Sequence, residues 1–129
     1  MLITYLLVAL GGSLGAITRF VANNIVSVQI PDKPYLSTLM VNVVGSLLLG
    51  FFYYASSFID FKSNLRDFFI IGYLGSLTTF STFSFEFAKM IIDKDFGRAF
   101  GYLSFNILLG FLSVSVSYTH LTLPTICSV

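Results

Sequence analysis

Four apolar stretches, separated by short polar breaks, set the pattern of the chain. The first runs from about Leu2 to Val28 and ends before the breaker cluster Pro31-Asp32-Lys33-Pro34. The second runs from about Tyr35 to Ile59 and stops at Asp60-Phe61-Lys62-Ser63-Asn64. The third starts near Asp67 and ends near Asp93-Lys94-Asp95, and the fourth begins around Gly97-Arg98 and continues to roughly Ser117. Crossing a bilayer takes about 20 mostly apolar residues as a helix, and each stretch is long enough. The pattern predicts an all-α integral membrane fold of four transmembrane helices. The short connections make successive helices antiparallel neighbours, with both chain ends on one side.

Composition narrows this further. Of 129 residues, 56% are hydrophobic and only 10% charged, too little charge to cover a soluble domain. The net charge of +1 gives no electrostatic footprint for nucleic acid. One cysteine, Cys127, and one histidine, His120, exclude an internal disulfide framework and leave metal-ligating chemistry thin. The apolar N-terminus has no basic leader and flows into a longer apolar run, so it is expected to be a retained helix. Lys62 and Arg66 flank the terminal side; Lys33, Lys94 and Arg98 flank the other, with Arg19 and Lys89 near it inside helices. This bias is weak. The chain either inserts both ways round, which permits an antiparallel homodimer, or takes a single orientation.

Polar residues inside apolar spans carry the chemical information, because an unpaired polar group is costly there. In the first helix Gly11 and Gly15, and Gly12 and Ala16, form adjacent small-residue stripes that allow close helix approach. Arg19 lies roughly 26 Å along that helix from Leu2, near the far interface. It either snorkels to the headgroups or stands as a fixed positive charge at a vestibule mouth. The second helix carries Thr38, Asn42, Ser46 and Gly50 at spacing four, hence on one face. Asn42 offers two amide donors deep in the span, for an interhelical bond or for a ligand.

The third helix is the richest. Gly72 and Gly75 followed by Thr78-Thr79 weaken it at mid-membrane, and a break there frees carbonyls that a bound cation would satisfy. Beyond the break Phe80, Phe83 and Phe87 share one face, and Thr78, Ser81 and Thr82 are expected on another. Phenyl edges are electropositive and coordinate an anion without a full charge, while hydroxyls replace lost water. Packing with self-bonded hydroxyls is the alternative for any one of these residues. In the fourth helix Tyr102, Asn106 and Gly110 repeat the spacing of four, as a polar track or as interhelical glue. Glu86 is the sole carboxylate within a span, with Lys89 three residues on as a candidate partner. With no mid-membrane carboxylate, nucleophile–base pair or phosphate loop, neither a proton-coupled transporter nor an enzyme is supported.

Three motifs connect these residues to a known family. They are Gly11-Gly12-x-x-Gly15-Ala16-x-x-Arg19-Phe20, Thr38-Leu39-x-Val41-Asn42-x-x-Gly45, and Gly75-x-x-Thr78-Thr79-Phe80-Ser81-Thr82-Phe83-Ser84-x-Glu86. From about Gly11 to Gly110 the chain resembles the Fluc (CrcB) family of fluoride channels. The resemblance implies a multi-pass protein of the cell membrane, a dual-topology antiparallel homodimer with two pores at the subunit interface. It implies passive exit of fluoride from the cell, and, where a genome carries two such genes, a heterodimer with a paralogue. It assigns the pore to Phe80, Phe83 and Asn42, with Thr82, Ser81, Tyr102 and Glu86 along the path and Arg19 at the vestibule. It implies a structural sodium ion, not transported, at the break near Gly75 and Thr78. Asn106 departs from the serine usual there.

Two other readings remain at this level. A small multidrug-type transporter shares the four-helix plan but needs an embedded acid in the first helix, which is absent here. A non-transporting membrane subunit would use the same residues for packing alone. The end of the chain has its own signature. Val116 to Thr125 (VSYTHLTLPT) resembles the translation of a transposon adapter used in sequencing libraries. The channel unit is therefore expected to span residues 1–115, with 116–129, including Tyr118, His120, Pro124 and Cys127, as a non-native tail.

Overall fold

The computed structural model describes residues 1–60 and 62–127, except for the side chains of Tyr118 and residues 120–127. Helix α1 spans Leu2–Gln29 and α2 spans Tyr35–Phe58. The third span is composite. It runs as α3 (Ser63–Asp67), a π-helical segment (Phe68–Leu74), α4 (Gly75–Leu77) and, after a break, α5 (Ser81–Ile92). Helix α6 spans Phe96–Cys127. Four stretches, Leu2–Gln29, Tyr35–Phe58, Ser63–Ile92 and Phe96–Ser117, are long and apolar enough to cross a membrane. The protein is a multi-pass membrane protein.

The predicted boundaries differ at two places. The third span opens at Ser63 and not near Asp67, and its first turn is tied to α1 by Thr4 Oγ1 donating to Asn64 Oδ1 at 2.8 Å. The fourth helix continues past Ser117 to Cys127, since no proline precedes Pro124 in it and no glycine follows Gly110. The side chains of Tyr118, His120, Pro124 and Cys127 lie outside the described residues.

Glycine decides how α1 meets the third span. A Cβ built on Gly11 would stand 2.4 Å from Phe68 O, one on Gly15 2.2 Å from Tyr73 O, and one on Gly72 2.8 Å from Val8 O. Backbone therefore packs on backbone, which only residues without a Cβ permit in an apolar span. The wide turn of the π-helical segment, with Gly75 N–H reaching back to Ile70 O, presents those carbonyls to α1. On its other side Leu74 and Leu77 pack with Val41, flanked by Ala22, Leu48, Leu49, Phe52 and Tyr73. Most large apolar side chains point outward, Leu6, Ile17 and Phe111 among them, as suits a surface wetted by lipid tails.

The turn between α5 and α6 is closed locally. Lys94 takes a positive φ of 59°, its N–H bonds Ile91 O, and Asp95 N–H bonds Met90 O, the paired bonds of a Schellman cap. Asp95 then caps α6 by accepting from Arg98 N–H at 3.3 Å, and also holds the Arg98 guanidinium at 3.2 Å. The third and fourth spans thus leave the turn as fixed antiparallel neighbours, which sets α5 beside α6.

Candidate functional site

The break between α4 and α5 is held by side chains that take over backbone bonds. Thr78 turns to extended backbone (φ −77°, ψ 153°) after its N–H makes a last helical bond to Leu74 O. The next amide, Thr79 N–H, donates to Asn42 Oδ1 at 2.9 Å, and Asn42 Nδ2 returns a bond to Thr79 O at 3.2 Å. Thr82 N–H donates to Thr79 Oγ1 at 3.3 Å. In an unbroken helix these two amides would bond Gly75 O and Thr78 O, four residues back. Their diversion deprives the Gly75 and Thr78 carbonyls of their helical donors at mid-span.

Asn42 lies on α2, one turn before Gly45, whose missing Cβ makes room for Thr78 Cγ2. Its second Nδ2 hydrogen goes to Asn106 Oδ1 on α6 at 3.0 Å, and Asn106 Nδ2 donates to Tyr102 O at 3.0 Å. One amide thereby joins the second, third and fourth spans.

Two cavities flank the break. The larger, about 640 Å³, is walled by Phe80, Phe83 and Phe87 from α5 and its entry, by Asn42 and Thr78, and by Asn106 and Gly110 from α6. Its rings form a continuous run: Phe80 to Phe83 at 5.7 Å between centroids, Phe83 to Phe87 at 6.4 Å, and Phe83 to Tyr102 at 5.3 Å. Phe83 is buried, whereas Phe80 is 79% exposed, a large ring turned out of a single chain. The smaller cavity, about 360 Å³, is polar and lies on the other side, between Arg19 and Asn23 of α1, Ser37 and Thr38 of α2, and Thr82 and Glu86 of α5. Thr79 lines both cavities.

Glu86 bridges three helices. It accepts from Thr38 Oγ1 at 3.2 Å and from the Tyr102 hydroxyl. The expected pairing with Lys89 does not form; among the described residues the ion pair present is Arg98–Asp95. A half-buried carboxylate gains more from two inward hydroxyls than from a mobile ammonium at the membrane surface. Arg19 is half-buried and faces the same polar cavity as Glu86.

The break also rearranges the expected faces. Thr78, Ser81 and Thr82 do not share one, because the extended residue resets the helical phase between them. Thr78 borders the aromatic cavity and its hydroxyl bonds Leu74 O; Thr82 borders the polar one; Ser81 lines neither and sits 3.3 Å from Thr79 Oγ1. Phe80, Phe83 and Phe87 do stay together, and Tyr102 and Asn106 join them from α6. Thr79, which stands out in the sequence only as one of a helix-weakening pair, accepts the Thr82 amide at the start of α5 and lies between the cavities. Asn23 and Ser37, bonded to each other at 2.8 Å, are not singled out by the sequence pattern. The spacing of four between Arg19 and Asn23 is a usable signal for Asn23.

Comparison with known proteins follows the same motifs. Residues 6–118 match the family model described as CrcB-like protein, Camphor Resistance (CrcB). The chain is 39% identical over 110 residues to the Fluoride-specific ion channel FluC of Campylobacter fetus subsp. fetus, covering 84% of this chain and 86% of that one. It is 37% identical over 113 residues to the protein of the same name from Hydrogenobaculum sp. (87% and 92% covered), and 40% over 111 residues to that from Azotobacter vinelandii (84% and 88%).

Proposed function

The chain belongs to the CrcB-like family, and from this premise we propose that it is a fluoride-specific channel through which fluoride leaves the cell passively. The family is one of ion channels, not enzymes. The observation that carries the proposal is the aromatic cavity that borders the Asn42-held break. A small, strongly hydrated anion must be given replacements for its water. Ring edges of Phe80 and Phe83 offer positive electrostatic potential without a counter-charge that would trap the ion. The Asn42 amide stands beside the rings, and the Thr82 hydroxyl in the polar cavity; we assign Ser81 and Tyr102 to the same path. Arg19 raises the local anion concentration at the polar cavity, where Glu86 holds the Thr38 hydroxyl, and Glu86 also holds the Tyr102 hydroxyl from α6.

The working unit we propose is an antiparallel homodimer of dual topology in the cell membrane, or a heterodimer with a paralogue. Support comes from the outward-facing Phe80 and from a large cavity walled by one chain only in part. A structural sodium ion, not transported, fits the same scheme. The Gly75 and Thr78 carbonyls are hard oxygen donors freed at the break, and a small cation would satisfy them. We further propose that residues 116–129 are a non-native tail outside the channel unit. The motifs all lie before Gly110, and residues 119–129 fall outside the match to the family. A small multidrug-type transporter is not favoured, because α1 carries no acid and the family is a different one.

Purified protein in liposomes is expected to release fluoride, and not chloride, once an ionophore opens a conductive path for potassium. Fluoride release no faster than from protein-free vesicles overturns the proposal. Phe80→Ile and Phe83→Ile are each expected to lower that flux about tenfold or more, since an aliphatic side chain fills space but has no positive edge. Both variants should still purify as the wild-type oligomer. Wild-type flux in both would refute the role of the rings.

A further inference from the structure

From α6, Asn106 competes for the amide that faces the anion cavity. Each asparagine offers two hydrogens and one carbonyl oxygen. In Asn42 the oxygen takes Thr79 N–H at 2.9 Å, which sets the orientation of the amide. One Nδ2 hydrogen returns to Thr79 O at 3.2 Å, and the other goes to Asn106 Oδ1 at 3.0 Å. The first two bonds belong to the break. The third is not needed to hold it, and it lies on the wall of the cavity lined by Phe80 and Phe83. Asn106 is 9% exposed and tethered through its own Nδ2 to Tyr102 O, so its oxygen stays aimed at Asn42.

We infer that Asn106 is an internal stand-in for the anion: its carbonyl oxygen occupies the Asn42 donor open to the cavity, and a passing ion must displace it. The inference rests on the fluoride channel proposal. Binding at this point then replaces an existing hydrogen bond instead of satisfying a vacant donor, so the ion is held more weakly and released faster. Asn106 acts through Asn42 and is an affinity-setting positioning residue.

Asn106→Leu keeps the branched heavy-atom skeleton, in a bulkier side chain, and removes the acceptor. The unpaired Asn42 hydrogen costs free energy that a bound anion repays. In liposomes of the full chain, the fluoride concentration giving half-maximal flux is expected to fall about tenfold, a change of about 1.4 kcal/mol. The maximal rate should fall with it. Asn106→Ser, whose hydroxyl is too short to reach Asn42, should shift the half-maximal concentration in the same direction. It serves the test if the leucine variant does not assemble. An unchanged or raised half-maximal concentration in the variants that conduct overturns the inference, since loss of mere packing lowers rate without tightening binding. Absence of fluoride flux in the wild type overturns the channel proposal itself and this inference with it; normal wild-type flux with unshifted variants overturns this inference alone.

Discussion

Asn42→Ala is expected to lower fluoride flux about 100-fold or more, the largest functional effect foreseen for a single substitution in this chain. The substitution removes three hydrogen bonds together: those with Thr79 N–H, Thr79 O and Asn106 Oδ1. Thr79 N–H and Asn106 Oδ1 are then left unpaired in an apolar span, each at a cost of about 1–3 kcal/mol. The freed Thr79 amide has one nearby substitute, the Gly75 carbonyl, and taking it would re-form the helix. That would rotate Phe80 and Phe83 out of the cavity wall and return to Gly75 O its helical donor. Asn42→Asp tests the same logic from another side. It keeps an acceptor for Thr79 N–H but turns a second, donorless oxygen toward Thr79 O and Asn106 Oδ1, so it should also fail. Reconstituted flux measures both. Conduction by Asn42→Ala within a factor of about three of wild type would mean that the break holds without Asn42.

Gly15→Ala is expected to destabilise the fold by about 3 kcal/mol or more, the largest structural effect. The new methyl would lie 2.2 Å from Tyr73 O, 3.0 Å from Tyr73 C and 3.1 Å from Leu77 N, all backbone atoms. No rotamer relieves that, so α1 must move away from the π-helical segment, and overpacking of this kind costs about 1–3 kcal/mol even where side chains can yield. Gly12→Ala should be much milder, since the nearest neighbour is the rotatable Ser76 hydroxyl at 3.3 Å. Gly97→Ala and Gly101→Ala meet nothing within 4 Å and should be neutral or slightly stabilising through helix propensity. Unfolding in detergent, followed by heat or denaturant, gives the order. Equal loss in Gly12→Ala and Gly15→Ala would refute backbone contact as the cause.

The candidate site was legible in part, for identifiable reasons. Asn42, Glu86, Phe80 and Phe83 stand out in the sequence because polar or clustered aromatic residues in a lipid-spanning helix need a reason. Their partners do not stand out. That Glu86 chooses Thr38 and Tyr102 over Lys89 depends on which helices pack together and on where the membrane surface lies. In the sequence Thr79 is only one of a pair that weakens the helix. Its hold on the Thr82 amide and its place between two cavities follow from the extended turn at Thr78, which no helical wheel represents.

The number of spans, their approximate ends, the place where the third must weaken, and the family motifs are all legible in the residues alone. These follow from local physics: hydrophobic length against bilayer thickness, propensity, and the cost of polar groups in lipid. Only the tertiary structure decided that Gly11 and Gly15 meet a π-helical backbone and that Asn42 replaces a helical carbonyl for Thr79. It also decided that Thr78 and Thr82 face different cavities, and that Asn106 holds the remaining Asn42 hydrogen. Each of those facts joins residues roughly 40 to 60 positions apart or depends on a break in helical phase. A periodic pattern carries no information about either.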